Sequence, residues 1–121
     1  MPIINLQVSG KEDPSSAKEL VKTISRLNKD ILNKRLEIRV VTVSFIPDYL
    51  WFVNSESLAE LKKKNFHLTI KISDCTNLKD EKSKYIETIH SSIAAILGEL
   101  HPVSYIAIDK MKADAYEYMK D

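Results

Sequence analysis

Cysteine occurs once, at Cys75, which excludes an internal disulfide and any zinc site built on several thiolates. Flanked by Asp74 and Thr76 in an expected loop, it reads as an ordinary thiol rather than a nucleophile. Glycine occurs twice, and no Gly-rich phosphate loop is present. No apolar run approaches the length of a membrane span, and the N-terminus lacks a signal-peptide pattern. An excess of charge is also missing. The formal net charge is +1, which gives no electrostatic case for nucleic acid or an anionic membrane as a partner. These absences predict a cytoplasmic protein. Arginine is scarce too: Arg26, Arg35 and Arg39 are the three among 18 basic residues.

What is present is the composition of a globule, 44% hydrophobic and 29% charged. A length of 121 residues suits a single domain with a real core. Ile3 to Val8 reads as a short strand, and Ser9-Gly10-Lys11-Glu12 as a turn. Asp13-Pro14 is a helix start, with Asp13 as N-cap and Pro14 at the first helical position. Ala17, Leu20, Val21, Ile24, Leu27, Ile31 and Leu32 then recur at helical spacing, and Asn33-Lys34 ends the helix. Leu36 to Phe45 is rich in β-branched residues and predicts a second strand.

The pattern then returns. Phe66 to Ile72 alternates as a strand, and Asn77 is a candidate N-cap. Tyr85, Ile86, Ile89, Ile93, Ile96 and Leu97 mark a second helix, which Pro102 is expected to break. Val103 to Ile108 predicts the last strand. Leu20, Ile24, Ile31 and Leu32 map onto Tyr85, Ile89, Ile96 and Leu97 at a shift of about 65 residues, as do Val41 and Val43 onto Ile106 and Ile108. Two βαβ halves, about 1–50 and 64–121, are thus expected on either side of a linker around 51–63.

Each half implies a right-handed parallel crossover. Together they predict an α/β (α+β) fold: a four-stranded mixed sheet with two helices on one face. The strands look apolar throughout, so the uncovered sheet face predicts an oligomer. Within the wider link from Ile46 to Asn65, Lys62-Lys63-Lys64 reads as a solvated charge run.

The start Met1-Pro2-Ile3-Ile4-Asn5-Leu6, followed by a duplicated βαβ unit of this size, resembles the tautomerase superfamily. Asn33-Lys34 through Arg39 to Pro47-Asp48-Tyr49-Leu50 is similar to the second strand and following loop of macrophage migration inhibitory factor. Ser104 to Met111, with Ala113-Asp114, is similar to that protein's last strand and tail. Phe66 to Ile72 resembles a strand of 5-carboxymethyl-2-hydroxymuconate isomerase, and Ile38-Arg39-Val40 resembles the second strand of 4-oxalocrotonate tautomerase.

The resemblance implies a cofactor-independent keto–enol tautomerase or isomerase acting on a small α-keto or enol carboxylate, assembled as a homotrimer with pockets between subunits. It makes Pro2, freed by removal of Met1, the general base. An α-amino group titrates near about 8, and an apolar pocket or nearby cations lower that value enough to free the amine at neutral pH. Arg39 falls at a carboxylate-binding position, where its fork suits bidentate bonding. Lys34 and Tyr105 match pocket residues, and Lys11 stands near a loop arginine of the family. Trp51 and Phe52 lie where the family places an aromatic wall.

Each of these residues has a plainer reading. Pro2 suits the start of a strand, Arg39 a solvent-facing or subunit contact, and Trp51 and Phe52 subunit packing. Lys34 and Tyr105 also fit as surface or core residues. His67, His90 and His101 are scattered without ligand spacing, so no metal site is expected. Asp109, Asp114 and Glu117 read as surface acids. Ser73-Asp74-Cys75-Thr76 lacks the two arginines of dehalogenating relatives. If Met1 is retained, the Pro2 nitrogen is an amide. The chain is then a non-catalytic binding or assembly protein on this scaffold or a ferredoxin-like βαβ one.

Overall fold

A computed structural model describes residues 3–32, 40–73 and 79–111. The chain runs β1 (Ile3–Ser9), α1 (Pro14–Leu32), β2 (Val40–Ile46), a 3-10 turn (Asp48–Leu50), β3 (Phe52–Val53), β4 (Glu56–Ser57), α2 (Leu58–Leu61), β5 (Phe66–Ser73), α3 (Lys79–Leu97) and β6 (Tyr105–Met111). The main sheet has the order β2-β1-β5-β6. β1 pairs in parallel with β2, β5 in parallel with β6, and the two pairs join antiparallel through β1 and β5.

The repeat has a measurable register. Buried Leu20 and Ile24 of α1 correspond to buried Tyr85 and Ile89 of α3, 65 residues apart, whereas buried Ile4, Leu6 and Val8 of β1 correspond to Leu68, Ile70 and Ile72 of β5, 64 apart. The second half therefore has one residue more between the strand and helix positions that share the core.

Alternation along the strands sorts the side chains. Ile4, Leu6 and Val8 of β1 and Phe66, Leu68, Ile70 and Ile72 of β5 are buried on the helix side. Leu20, Ile24 and Leu27 of α1, with Tyr85, Ile89 and Ile93 of α3, complete this core. Ile86 lies outside the buried stripe and is exposed.

The opposite face corrects the expectation of an apolar surface. It carries Asn5, Gln7, Thr42, Ser44, His67, Thr69 and Tyr105, which share one open groove. Consecutive β-branched residues such as Val40-Val41 made the strands look apolar throughout, whereas the strand period of two sends most polar residues to one side.

Helix ends follow local chemistry. Asp13 Oδ1 accepts from the amides of Ser15 and Ser16 at 3.1 and 3.3 Å, and Oδ2 from the Ser16 hydroxyl at 2.8 Å. Bonding to the Ser16 hydroxyl, then to its amide, holds this carboxyl below its usual value. At the far end α3 stops at Leu97, before Pro102. Gly98, at φ 98°, ends it instead, as expected of a residue that enters the left-handed region without steric cost. The last strand starts at Tyr105 rather than Val103. Val103 N–H donates to His101 Nδ1 and the Ser104 hydroxyl to the His101 carbonyl, closing a turn before the strand. Val40 rather than Leu36 is the first described residue of the second strand, and residues 33–39 and Asn77 lie outside the described residues.

The connection between the halves is built rather than loose. β3 and β4 form a small hairpin, and Trp51 and Leu58 are buried. Ser57 caps α2 by accepting from Glu60 N–H at 3.2 Å. Where the connection rejoins the sheet, Ser9 and Asn65 lock together. The Ser9 amide donates to the Asn65 carbonyl at 3.0 Å, and the Asn65 amide to the Ser9 hydroxyl at 2.8 Å. The fully buried Asn65 side chain accepts from Phe66 N–H at 2.8 Å and donates to the Val103 carbonyl at 3.1 Å.

Two predictions follow from these buried polar groups. Asn65→Ala strands the Val103 carbonyl and the Phe66 amide, so urea denaturation should show a loss of about 2–4 kcal/mol. By contrast, the Tyr85 hydroxyl is buried with no partner among the described residues, and burial raises its pKa. Tyr85→Phe should therefore leave stability unchanged or raise it by about 1 kcal/mol in the same measurement.

Candidate functional site

The uncovered sheet face carries a groove of about 420 Å³ between β2, β1, β5 and β6. Its lining is neutral and rich in hydrogen-bonding groups: two amides from Asn5 and Gln7, several hydroxyls and the imidazole of His67. The Thr42 hydroxyl donates to Asn5 Oδ1 at 2.6 Å, which steadies the β1–β2 side of the groove.

His67 is the centre of an aromatic group at one end. Its ring meets Trp51 at 4.8 Å and 61°, and Tyr105 at 5.0 Å and 83°. Both are edge-to-face geometries that exploit the ring quadrupole. Partial burial disfavours the charged imidazole and lowers its pKa below the ordinary 6.5. Trp51 reaches this position because the Asp48–Leu50 turn and the hairpin fold the chain back, with Leu58 N–H donating to the Trp51 carbonyl at 2.9 Å.

A second cavity, of about 490 Å³, opens beyond the same end of β1. Gly10, Lys11, Pro47, Asp48, Tyr49 and Lys64 line it. Gly10 N–H donates to the Ile46 carbonyl at 2.8 Å, which holds the β1–α1 turn against the end of β2.

No protein-family profile matches the chain, and no curated protein matches its sequence. Solved structures do match its backbone. Native fused 4-OT superposes with a TM-score of 0.83 at 12% identity, covering 96% of this chain and 91% of that one. A wild-type fused 4-OT symmetric trimer gives 0.79 at 11% identity, covering 96% and 90%. A macrophage migration inhibitory factor-like protein from Entamoeba histolytica gives 0.78 at 14% identity, covering 98% and 95%. The chain has the tautomerase-superfamily fold.

Within this tautomerase fold the candidate residues divide into two sets. Pro2, Lys34 and Arg39 lie outside the described residues, as do Cys75, Asp114 and Glu117. Ile3 and Val40, which follow Pro2 and Arg39 in the chain, are partners in the parallel register. Lys71 and Asp109 continue that row across the sheet.

Lys11, Tyr105 and Trp51 belong to the other end. Gln7, Ser44, His67 and Tyr105 form one row, four residues along β1 from the Ile3 row. That spacing is about 13 Å at the rise of an extended strand. Lys11 lies farther still, beyond the end of β1. Phe52 is 58% exposed, whereas Trp51 is 7% exposed. Neighbours in sequence thus differ in environment.

The sequence reads His67 only as one of three scattered histidines and Lys64 only as part of a solvated charge run. His67 stands in alternation with Thr69 and Lys71, the polar side of Phe66–Ile72, and that parity was the available signal. Lys64 gave no such signal, because its position depends on contacts distant in sequence. Among the described residues, no group of three or more His, Cys, Asp or Glu is gathered as a metal site. No helix among them is long and apolar enough to cross a membrane.

The His67 environment sets a pH dependence. With its folded-state pKa lowered, the unfolded chain binds this proton more readily. Its effect on stability is therefore absent well above 6.5 and becomes a loss as pH falls through 6.5 toward the lowered value. NMR titration should place the His67 midpoint below 6.5. Urea denaturation at pH 5 and 7 should show a pH-dependent loss that His67→Gln reduces.

Proposed function

We propose that the chain is a cofactor-independent keto–enol tautomerase in which Pro2, exposed by removal of Met1, is the general base. What supports this reading is a backbone that matches solved fused 4-OT structures, a symmetric trimer among them, in a chain whose Pro2 directly precedes β1 in sequence. Pro2 precedes β1 in sequence, whereas Tyr105 and Trp51 meet His67 near the far end of β1 and Lys11 follows that end. A pocket that uses both sets needs two copies of the chain. A homotrimer provides that juxtaposition, and it gives the uncovered polar face of the sheet a role in assembly.

In this reading the substrate is a small α-keto or enol acid. The unprotonated Pro2 nitrogen takes a proton from the carbon beside the carbonyl. The C–H electron pair forms the enol double bond, and the carbonyl π pair moves to oxygen. Cationic side chains stabilise that oxygen and hold the carboxylate, with Arg39, Lys34 and Lys11 as the candidates. Tyr105, Trp51 and Phe52 shape the apolar wall. Return of the proton to oxygen completes the isomerisation with no net oxidation, so the step needs no redox cofactor.

The reading is tested with tag-free protein. Its intact mass should lack one methionine, and the protein should convert phenylenolpyruvate to phenylpyruvate. Pro2→Ala should lower kcat/KM by at least about 100-fold, the lower range for a positioned general base. A retained Met1, or a Pro2→Ala variant of unchanged activity, would favour a non-catalytic binding or assembly protein on the same scaffold.

A further inference from the structure

His67 pairs directly with Tyr105 in the parallel register of β5 and β6. β6 lies at the edge of the sheet, and Tyr105 is its first residue. Among the described residues no strand flanks its outer side, and Tyr105 is 49% exposed. Its ring contact among those residues is with His67. An edge side chain with so little around it is free to reorient unless that one neighbour holds it.

Trp51 meets the same imidazole but makes no ring contact with Tyr105, so His67 is what the two rings share. The Trp51 backbone is fixed locally. Its N–H donates to the Asp48 carbonyl at 3.4 Å, and its carbonyl accepts from Leu58 N–H at 2.9 Å. The connection thus delivers Trp51 as a buried ring set in place, and His67 carries that position across to Tyr105.

Nothing packed on His67 compensates a positive charge. Gln7 of β1 and Tyr105 of β6 flank it in register, Thr69 follows on the same face of β5, and Trp51 comes from the connection. Among the described residues no carboxylate lies within 4 Å of it. Lys64 and Lys71, three residues before it and four after it in sequence, oppose a further cation. Partial burial acts in the same direction. A charged imidazole presents two N–H donors that need acceptors or water, and edge contacts with two rings withhold both.

We propose that His67 is a positioning residue for the aromatic wall: uncharged, it fixes the Tyr105 ring relative to Trp51, and protonation releases both rings. Ligands that use the Tyr105 ring then bind more weakly in acid. That Tyr105 and Trp51 touch substrate rests on the tautomerase reading. The coupling of the three rings does not.

The test uses the full chain, whose single tryptophan makes emission a report on Trp51 alone. Emission and the His67 and Tyr105 ring signals in NMR are followed from neutral to mildly acid pH. A step in emission and in the Tyr105 signals is expected at the His67 midpoint. His67→Phe, which keeps an aromatic ring but takes no proton, should abolish the step while holding Tyr105 in place. His67→Ala should change the Tyr105 signals throughout the range. His90→Gln should leave the step unchanged, and circular dichroism confirms that each variant is folded.

Turnover of phenylenolpyruvate supplies a second readout. His67→Ala should raise KM by about three- to tenfold with kcat nearly kept, the scale of one lost aromatic pair. His67→Phe should restore KM and remove its rise in acid. A role confined to fold stability would neither split KM from kcat nor respond to the phenylalanine rescue.

Ring signals and emission that stay flat through the His67 midpoint, or a step that survives in His67→Phe, would overturn the proposal. So would unchanged Tyr105 signals in His67→Ala, or an unchanged KM in that variant of an active enzyme. If no enol is turned over, the tautomerase reading fails while the ring signals still decide the coupling. Should His67→Ala not fold, the titrations of the unaltered chain and of His67→Phe decide it.

Discussion

The buried exchange between Ser9 and Asn65 ties the architecture together. It joins the end of β1 to the start of β5, and Asn65 also takes the Phe66 amide and the Val103 carbonyl. One buried residue, through its backbone and its side chain together, thereby ties the first half, the returning connection and the approach to β6. In a low-dielectric interior each of these groups needs a partner, so the geometry around Asn65 is specified closely. The Lys11–Lys64 cavity and the Trp51–His67–Tyr105 group both lie at this end of the sheet.

The two faces of the sheet divide the work of the molecule. On one, apolar side chains of all four main strands and two helices make a continuous core. On the other, amides, hydroxyls and an imidazole line an open groove. The core also contains groups left unmatched among the described residues, namely both side-chain polar atoms of Asn28 and the Tyr85 hydroxyl. Such groups cost stability. The well-paired network at Asn65 contrasts with these helix-borne positions.

Much of the fold was legible because its signals are local. Helical spacing from Leu20 to Leu27 and from Tyr85 to Ile93 identifies the buried stripes, and Asp13-Pro14 marks a helix start. The near-constant shift between the halves anticipates paired βαβ units. Boundaries were less legible. Gly98 stops α3 before Pro102, and the His101-centred bonds delay β6 to Tyr105. The apolar reading of the uncovered face failed because overall strand hydrophobicity conceals which alternate residues share a side.

The sequence by itself determined the repeated elements and the strand periodicity that separates core from groove, whereas roles for Pro2, Lys11, Arg39 and Tyr105 entered only as what a family resemblance implies. Periodicity and residue chemistry act over a few neighbours, so they are readable along the chain. Tertiary structure alone decided that Lys64 stands beside Gly10, that Trp51 meets His67, and that Tyr105 lies at the opposite end of β1 from Ile3. These relations depend on strand register and on hydrogen bonds closed across many residues. No local pattern encodes them, because their energy exists only once the distant segments have met.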